Sequence, residues 1–111
     1  MAAFALVRDD GFTYVDVRTA DEFAEGRPAG AINIPLDATF LAAIARSFAK
    51  DAAIVVGCAT GARSAKAAEL LRGAGFVRVR DQRAGFRGRR GTFGQVLERG
   101  WLHEGLPIES G

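Results

Sequence analysis

Cysteine is almost absent from this sequence: Cys58 is the single cysteine among 111 residues, so no disulfide can form within the chain. A lack of disulfides is typical of proteins in reducing compartments, and we expect a cytoplasmic location. No apolar run approaches the roughly 18 residues that a membrane-spanning helix needs. The opening stretch, residues 1–7, is short and has no basic start, so we expect no secretory signal and no contact with membranes.

Ligand clusters for metals and motifs for nucleotides are also missing. The single histidine, His103, lies far from Cys58, and no group of cysteine, histidine and carboxylate residues has the spacing of a metal site. No glycine-rich loop is followed by Lys-Ser or Lys-Thr, the phosphate-binding pattern of many nucleotide enzymes. The sequence therefore predicts no metal and no cofactor. We expect a surface or packing role for His103, with a Cys-His pair as the minority alternative.

Charge is nearly balanced, with 15 basic and 13 acidic residues and a formal net charge of +2. The basic excess is concentrated in one stretch, which contains Arg78, Arg80, Arg83, Arg87, Arg89 and Arg90. Neither an aromatic platform for base stacking nor a recognition-helix pattern accompanies these arginines, so we expect no nucleic acid as a partner. A solvated loop, or one that faces a small anion, is the favoured interpretation.

The length, with 49% hydrophobic and 25% charged residues, indicates one small domain over residues 1–111. Alternating or continuous apolar residues predict strands at 12–17, 31–34, 53–57 and 76–80. Helical spacing predicts helices at 36–48 and 64–74 and a last short helix near 96–101. Residues 4–8 fit the end of a helix or a short edge element, and 81–94 read as a long loop.

The alternation of strands and helices indicates the α/β class. Thr19 and Glu22 form a capping-box pattern at the start of a further short helix, which ends at Gly26. Strands separated by helices are joined by crossovers, which place the strands parallel and cover both faces of the sheet. We therefore predict three layers, α/β/α, around a mainly parallel sheet of four to five strands.

The stretch from Ile54 to Ala68 carries the candidate chemistry. Cys58 follows an apolar strand and precedes an alanine-rich helix, the kind of junction at which open α/β sheets place their sites. Only small residues and one glycine separate Cys58 from Arg63, so the backbone can turn several N–H groups inward beside the positive end of the helix. Such a loop binds an anion, and the nearest anion is the Cys58 sulfur as a thiolate or a persulfide.

Cys58 is therefore predicted to be a nucleophile rather than a small core residue. The nearby Arg63 guanidinium favours the thiolate, and a cation at a helix start is itself unfavourable unless an anion lies close by. The hydroxyls of Thr60 and Ser64 are candidates either to hydrogen-bond the sulfur or to cap the helix, and capping is favoured for Ser64.

Asp16 and Arg18 emerge at the end of the strand that is expected to neighbour the Cys58 strand. Pairing of these charges within their own segment is favoured over a direct catalytic role. Arg18 and Arg87 remain candidates to help Arg63 attract an anionic substrate.

Several segments together resemble a single rhodanese domain, in order and with ordinary spacing. They are 15–18 (Val-Asp-Val-Arg), 22–23 (Glu-Phe), 30–35 (Gly-Ala-Ile-Asn-Ile-Pro), 58–64 (Cys-Ala-Thr-Gly-Ala-Arg-Ser) and 105–107 (Gly-Leu-Pro), and they span nearly the whole chain. The resemblance implies the rhodanese fold and a sulfur-carrying role for Cys58. It also implies that the active-site loop consists of Ala59, Thr60, Gly61, Ala62 and Arg63.

The resemblance also implies a reaction. A six-residue loop, counted from Cys58 through Arg63, is similar to that of sulfurtransferases, whereas related dual-specificity phosphatases have one residue more. We expect sulfane sulfur to pass from thiosulfate or a persulfide donor, through a Cys58 persulfide, to a thiol or cyanide. The expected partners are a small anionic donor and a thiol acceptor such as a thioredoxin-like or other sulfur-relay protein. An arsenate reductase or phosphatase, and a non-catalytic carrier or partner-binding module, remain alternatives.

Three features depart from the family pattern. The usual first strand looks truncated, which leaves the edge of the sheet in question. Arg27-Pro28-Ala29 replaces the common His-Ile-Pro before Gly30, and we expect no catalytic effect. The arginine-rich stretch 78–90 is longer than in the smallest members, and its Gly85-Phe86 pair resembles the family's glycine-rich turn before the last helix.

Overall fold

Four parallel strands form the centre of the protein, whose computed structural model describes residues 2–110. The helices are Ala2–Asp9 (α1), Ala20–Glu25 (α2), Phe40–Ser47 (α3) and Ala62–Gly73 (α4). The strands are Thr13–Asp16 (β1), Arg27–Pro28 (β2), Ile32–Asn33 (β3), Ile54–Gly57 (β4), Val79–Asp81 (β5), Arg89–Arg90 (β6), Val96–Glu98 (β7) and Ile108–Glu109 (β8).

The central sheet has the order β3-β1-β4-β5, and each neighbouring pair is parallel. The register places Asp16 between Asn33 and Gly57, and places Asp81 opposite Val56. Because parallel strands all end at the same edge, this register collects the residues at the strand ends on one side of the sheet. Cys58, which follows β4 directly, therefore lies at that edge, at the end of an inner strand that has β1 and β5 as its neighbours.

Each face of the sheet has its own hydrophobic core, because successive side chains of a strand point to opposite faces. On one face, Val15 and Val56 pack against α3 and α4 through residues such as Ile44 and Leu71. The other face has Tyr14, Val55, Phe86, Trp101 and Ala3 of α1. The layers are thus α/β/α, and the predicted fold class is confirmed.

The segment after β5 differs from its prediction. Residues 96–101 were predicted as a helix, but β7 (Val96–Glu98) pairs with β6 as an antiparallel hairpin, so that prediction is wrong. The two glycines between the strands explain why. Gly94 has a φ of +79° and Gly91 donates to the Gln95 carbonyl at 2.8 Å, which closes a turn that the apolar spacing of Val96 and Leu97 does not reveal.

Two further predicted elements begin later than expected, and one of them is the helix predicted at 36–48, which begins at Phe40. The strand predicted at 76–80 begins only at Val79, because the N–H groups of Phe76 and Val77 donate to the carbonyls of Leu71 in α4 and of Lys50 after α3. Residues 4–8 are helical, within α1, so the helix alternative is the correct one. The predicted capping box of Thr19 and Glu22 is present at the start of α2.

The segment that replaces the family's His-Ile-Pro forms a second small sheet. Strand β2 pairs antiparallel with β8, with Arg27 opposite Glu109 and Pro28 opposite Ile108, and Ala29 donates to the Pro107 carbonyl at 3.0 Å. The last described residues are thereby tied to the loop after α2. Within residues 2–110, no helix is both long and apolar enough to cross a membrane.

Tyr14 explains why a glycine ends β4. The Tyr14 side chain is buried, its hydroxyl donates to Gln82 Oε1 at 2.6 Å, and a Cβ on Gly57 would overlap that hydroxyl. Gly57→Ala should therefore lower the free energy of unfolding by about 1–3 kcal/mol or more, measured by urea denaturation.

Gly73→Ala is the matched control, because nothing lies within 4 Å of a Cβ at this position, the last of α4. It should leave stability unchanged or raise it by up to about 1 kcal/mol. Equal effects of the two substitutions would contradict the steric explanation.

Candidate active site

The Cys58 sulfur lies at the start of α4 and accepts hydrogen bonds from two backbone amides. The Gly61 N–H donates to Sγ at 3.0 Å and the Ser64 N–H at 3.4 Å. The side chain of Cys58 is 1% exposed, so these donors act where water competes little with them. Inward N–H groups at the positive end of a helix suit a negative charge on the sulfur.

The loop holds its shape because two glycines allow a close approach between backbone segments. Gly61 has a φ of +101°, and a Cβ there would overlap the Arg83 carbonyl oxygen. Gly85 has a φ of +72°, and a Cβ there would crowd the backbone of Cys58 and Ala59. A side chain at either position would force the segments 58–61 and 83–87 apart.

Two backbone hydrogen bonds fasten these segments to each other. The Phe86 N–H donates to the Cys58 carbonyl at 2.7 Å, and the Arg87 N–H donates to the Ala59 carbonyl at 2.9 Å. The stretch that resembles the family's glycine-rich turn therefore supports the loop from behind. Ala59 is buried, Thr60 and Ala62 are exposed, and Gly61 and Arg63 are intermediate.

Ser64 contacts the sulfur and does not cap the helix, contrary to the favoured prediction. Helix α4 begins at Ala62 with Gly61 as its N-cap, so Ser64 falls inside the first turn. Its hydroxyl donates to the Gly61 carbonyl at 3.2 Å and lies 3.5 Å from Cys58 Sγ. The prediction is wrong because it begins the helix at Ser64, whereas the helix begins two residues earlier, at Ala62.

Arg63 forms a bidentate ion pair with Glu22 of α2. Its Nη1 and Nη2 atoms donate to the two carboxylate oxygens at 2.6 and 3.0 Å. The Arg63 guanidinium, helped by the Thr19 backbone and hydroxyl, holds the pKa of Glu22 at about 2, below its ordinary 4.5. The anion that a cation at a helix start requires is thus present in the protein itself, and the pair ties α2 to the loop.

Asp16 and Arg18 form a buried ion pair behind the loop. Arg18 Nη2 lies 2.7 Å from Asp16 Oδ2, and each side chain is 1% exposed. Arg18 also donates to the Gly26 carbonyl at 2.7 Å, and its guanidinium lies 4.7 Å from the centre of the Phe86 ring. These contacts connect β1, the end of α2 and the segment that supports the loop, which is a positioning role.

Two pockets share a lining of arginines, and one of them includes a residue of the loop. One, of about 470 Å³, is lined by Thr60, Arg87, Gly88, Arg89 and Arg90. The other, of about 310 Å³, shares the three arginines and adds Val96, Glu98, Arg99 and His103. His103 is therefore at the surface rather than next to the sulfur.

Within residues 2–110, no three cysteine, histidine or carboxylate side chains are grouped as metal ligands would be.

Asp81 is a residue that the sequence reasoning missed. It ends β5, next to the Cys58 strand, and its Oδ1 atom is buried without a hydrogen-bond partner among the described residues. Burial raises the pKa of the Asp81 carboxyl, while the nearby Ser64 hydroxyl and the charges of Arg72 and Arg83 oppose that shift. Asp81 comes directly after the strand predicted at 76–80, and this position could have indicated a residue at the edge of the sheet near Cys58. The prediction placed it in the loop 81–94 instead.

Comparisons with known proteins agree on one family. Residues 4–90 match the family model for the rhodanese-like domain. A relative from Arabidopsis thaliana, "Thiosulfate sulfurtransferase 16, chloroplastic", is 34% identical over 110 residues, which cover 90% of this chain and 82% of that protein. The chain spans about half the length, 47% and 53%, of two further curated relatives.

Solved structures resemble the chain over nearly its whole length. Rv0390 from M. tuberculosis has a TM-score of 0.80 and 25% identity, over 99% of this chain and 92% of that one. The polysulfide-sulfur transferase homodimer from Wolinella succinogenes has a TM-score of 0.68 and 26% identity, over 99% of this chain and 74% of that one.

The Glu22–Arg63 pair predicts a specific dependence of stability on pH. The Glu22 pKa is lower in the folded than in the unfolded protein, so the pair contributes fully above about pH 4.5 and its contribution disappears as the pH falls towards 2. With side chains 39% and 34% exposed, the pair should contribute about 1 kcal/mol at neutral pH. Glu22→Gln should therefore flatten the acid decline in unfolding free energy, measured by urea denaturation from pH 6 to 2.

Glu69→Gln is the control, since Glu69 is exposed on α4 and has no ion-pair partner among residues 2–110. It should leave the acid decline unchanged. An identical decline in wild type and Glu22→Gln would show that the pair does not stabilise the fold.

Proposed function

Because this chain belongs to the rhodanese-like family, we propose that it is a sulfurtransferase in which Cys58 carries the transferred sulfur as a persulfide. The observation that carries this proposal is the pair of amides, of Gly61 and Ser64, that donate to the Cys58 sulfur. Donors in this position stabilise the sulfur when it is charged, before and after transfer. The thiosulfate sulfurtransferase named among the relatives supports the same reaction class.

The proposed reaction is a ping-pong cycle. The Cys58 thiolate attacks the outer sulfur of an anionic donor, thiosulfate or a persulfide, and forms a new S–S bond. The donor's own S–S bond breaks, and its electron pair leaves with the remnant as sulfite or a thiolate. A thiol or cyanide acceptor then attacks the outer sulfur of the Cys58 persulfide and takes it. The electron pair of that S–S bond returns to Cys58 as a thiolate.

The other residues position the loop or attract the donor. Glu22 binds both Nη atoms of Arg63 and holds the guanidinium beside the loop, so Arg63 positions the loop, and Arg87 is the candidate to attract the anionic donor. Arg18 is committed to Asp16 and Gly26, so it acts on the loop through Phe86 rather than on the donor. Thiosulfate as the donor, a sulfur-relay protein as the acceptor and the cytoplasm as the location remain predictions.

A non-catalytic module with the same fold is the second candidate. It is favoured by one observation, the 1% exposure of Cys58, because a buried sulfur can also be a packed core atom. The hydrogen bonds to the sulfur argue against this, since an ordinary core thiol needs no converging donors. A phosphatase is less favoured, because the six-residue loop is one residue shorter than the loop of dual-specificity phosphatases. An arsenate reductase remains an alternative prediction.

Intact-mass measurement after incubation with thiosulfate tests the proposal. Wild type should gain one sulfur atom, which cyanide or a thiol then removes, and Cys58→Ala should gain none because it lacks the nucleophile. Sulfur transfer by Cys58→Ala should fall to the background rate. Its thermal unfolding should confirm that the variant is folded.

Three results would exclude the proposal. The first is full transfer activity in Cys58→Ala, and the second is turnover of a phosphate ester without any persulfide. The third is a wild-type protein that gains no sulfur from thiosulfate, mercaptopyruvate or glutathione persulfide, which would favour the non-catalytic module.

A further inference from the structure

The β6–β7 hairpin, residues 89–98, stands beside the catalytic loop at the edge of the shared family domain. The family match ends at residue 90, so residues 91–98 lie outside it. The hairpin is connected to the loop through Arg87, whose backbone N–H donates to the Ala59 carbonyl at 2.9 Å. A feature of this chain beyond the matched domain thus borders the sulfur-bearing loop.

The surface between the hairpin and the loop has an excess of positive charge. The two pockets of about 470 and 310 Å³ extend from Thr60 to His103, and we call them together the arginine groove. The acidic residue of the groove, Glu98, is already neutralised by Arg89 at 2.7 Å and by Arg83 at 3.0 Å. Three exposed lining residues have no carboxylate partner within residues 2–110: Arg87, Arg90 and Arg99.

The hairpin also exposes large apolar side chains. Phe93 is 94% exposed, Val96 is 56% exposed and Leu97 is 55% exposed. Arginine and aromatic residues together are typical of protein–protein interfaces, whereas a site for a small anion needs no exposed apolar side chains beside it. The combination fits a partner that is itself a polypeptide with an acidic surface.

We propose that the arginine groove and the hairpin bind an acidic peptide segment of the protein that accepts sulfur from Cys58. This inference rests on the proposed sulfurtransferase function and identifies its acceptor by chemistry: a cysteine flanked by carboxylates. The carboxylates pair with Arg87 and Arg90, while apolar residues of the segment contact the hairpin. The acceptor cysteine is thereby held beside Thr60, at the loop that carries the persulfide.

The length and lining of the groove favour a peptide over other anions. It comprises two pockets that share three arginines and offer more room than a single small dicarboxylate fills, and Val96 adds an apolar contact.

Synthetic peptides provide the test. Three 15-residue peptides have the same central cysteine and the same apolar positions, and differ at four flanking positions that are all Glu, all Gln or all Lys. Wild type is first loaded with sulfur from thiosulfate, and transfer to each peptide is followed by intact mass. The acidic peptide should be sulfurated about tenfold faster than the neutral one at low salt, with the basic peptide slowest, and the advantage should shrink as salt is raised.

Variants of the groove assign the effect. Arg87→Gln combined with Arg90→Gln should bring the ratio of acidic to neutral transfer rates close to one. Phe93→Ser should slow both peptides by a similar factor, because its contact is apolar. Arg46→Gln is the matched control: Arg46 is exposed in the last turn of α3, before β4 begins, away from the edge that bears Cys58. It should leave the ratio unchanged.

Binding separates this inference from the proposed function. Fluorescence anisotropy measures the affinity of labelled peptides for the Cys58→Ser protein. The acceptor cysteine of each peptide is replaced by serine, so the measurement requires no sulfur transfer. If wild type acquires no persulfide, the proposed function fails, and preferential binding of the acidic peptide would still support the groove.

Three outcomes would overturn the inference. The first is equal transfer to, or equal binding of, acidic, neutral and basic peptides. The second concerns the small thiol mercaptosuccinate. If it accepts sulfur faster than an uncharged thiol by the same factor as the acidic peptide exceeds the neutral one, and if this factor also depends on Arg87 and Arg90, the ligand is a dicarboxylate rather than a peptide. The third is tighter binding of an oligothymidylate than of the acidic peptide.

Discussion

Close contact between two backbone segments determines the geometry of the candidate site. Residues 58–61 and 83–87 approach so nearly that Gly61 and Gly85 have no room for a Cβ, and Phe86 and Arg87 donate to the carbonyls of Cys58 and Ala59. Because these carbonyls are held from behind, the loop turns its Gly61 amide towards the sulfur. The donors around Cys58 therefore depend on a fit between backbones more than on any ionisable side chain.

A buried ion pair, Asp16–Arg18, supports the contact between residues 58–61 and 83–87. The Asp16–Arg18 pair is expensive to desolvate, but its geometry satisfies both partners through the Gly26 carbonyl, the Arg18 amide and the Phe86 ring. Removing one partner would leave an uncompensated charge beneath the loop. This pair, together with Glu22–Arg63, connects the short helix α2 to the site at two points, so the function of α2 is to position the loop rather than to enlarge the core.

The sequence predicted the parts of the fold that local patterns encode. The buried strand before Cys58, the turn at Gly61 in the loop of small residues and the capping box of Thr19 and Glu22 each depend on neighbouring residues, and the structure has them. Contacts between distant parts of the chain could not be predicted from local patterns. The Glu22–Arg63 pair joins residues 41 positions apart. The position of Ser64 beside the sulfur depends on where α4 begins, at Ala62. The hairpin was misread because its turn depends on Gly91 and Gly94, while its apolar residues also fit a helix.

Burial of Cys58 and delivery of sulfur are compatible if the transferred atom is the outer sulfur. A persulfide places that atom one S–S bond, about 2 Å, beyond Sγ, so the atom that an acceptor attacks need not share the 1% exposure of the cysteine. In the proposed cycle the inner sulfur keeps its amide donors, which would make it a good leaving group when the acceptor attacks. A loop that buries Sγ but exposes the outer sulfur would limit oxidation of the thiolate. It would also favour acceptors whose residues around the attacking thiol are complementary to the groove beside Thr60.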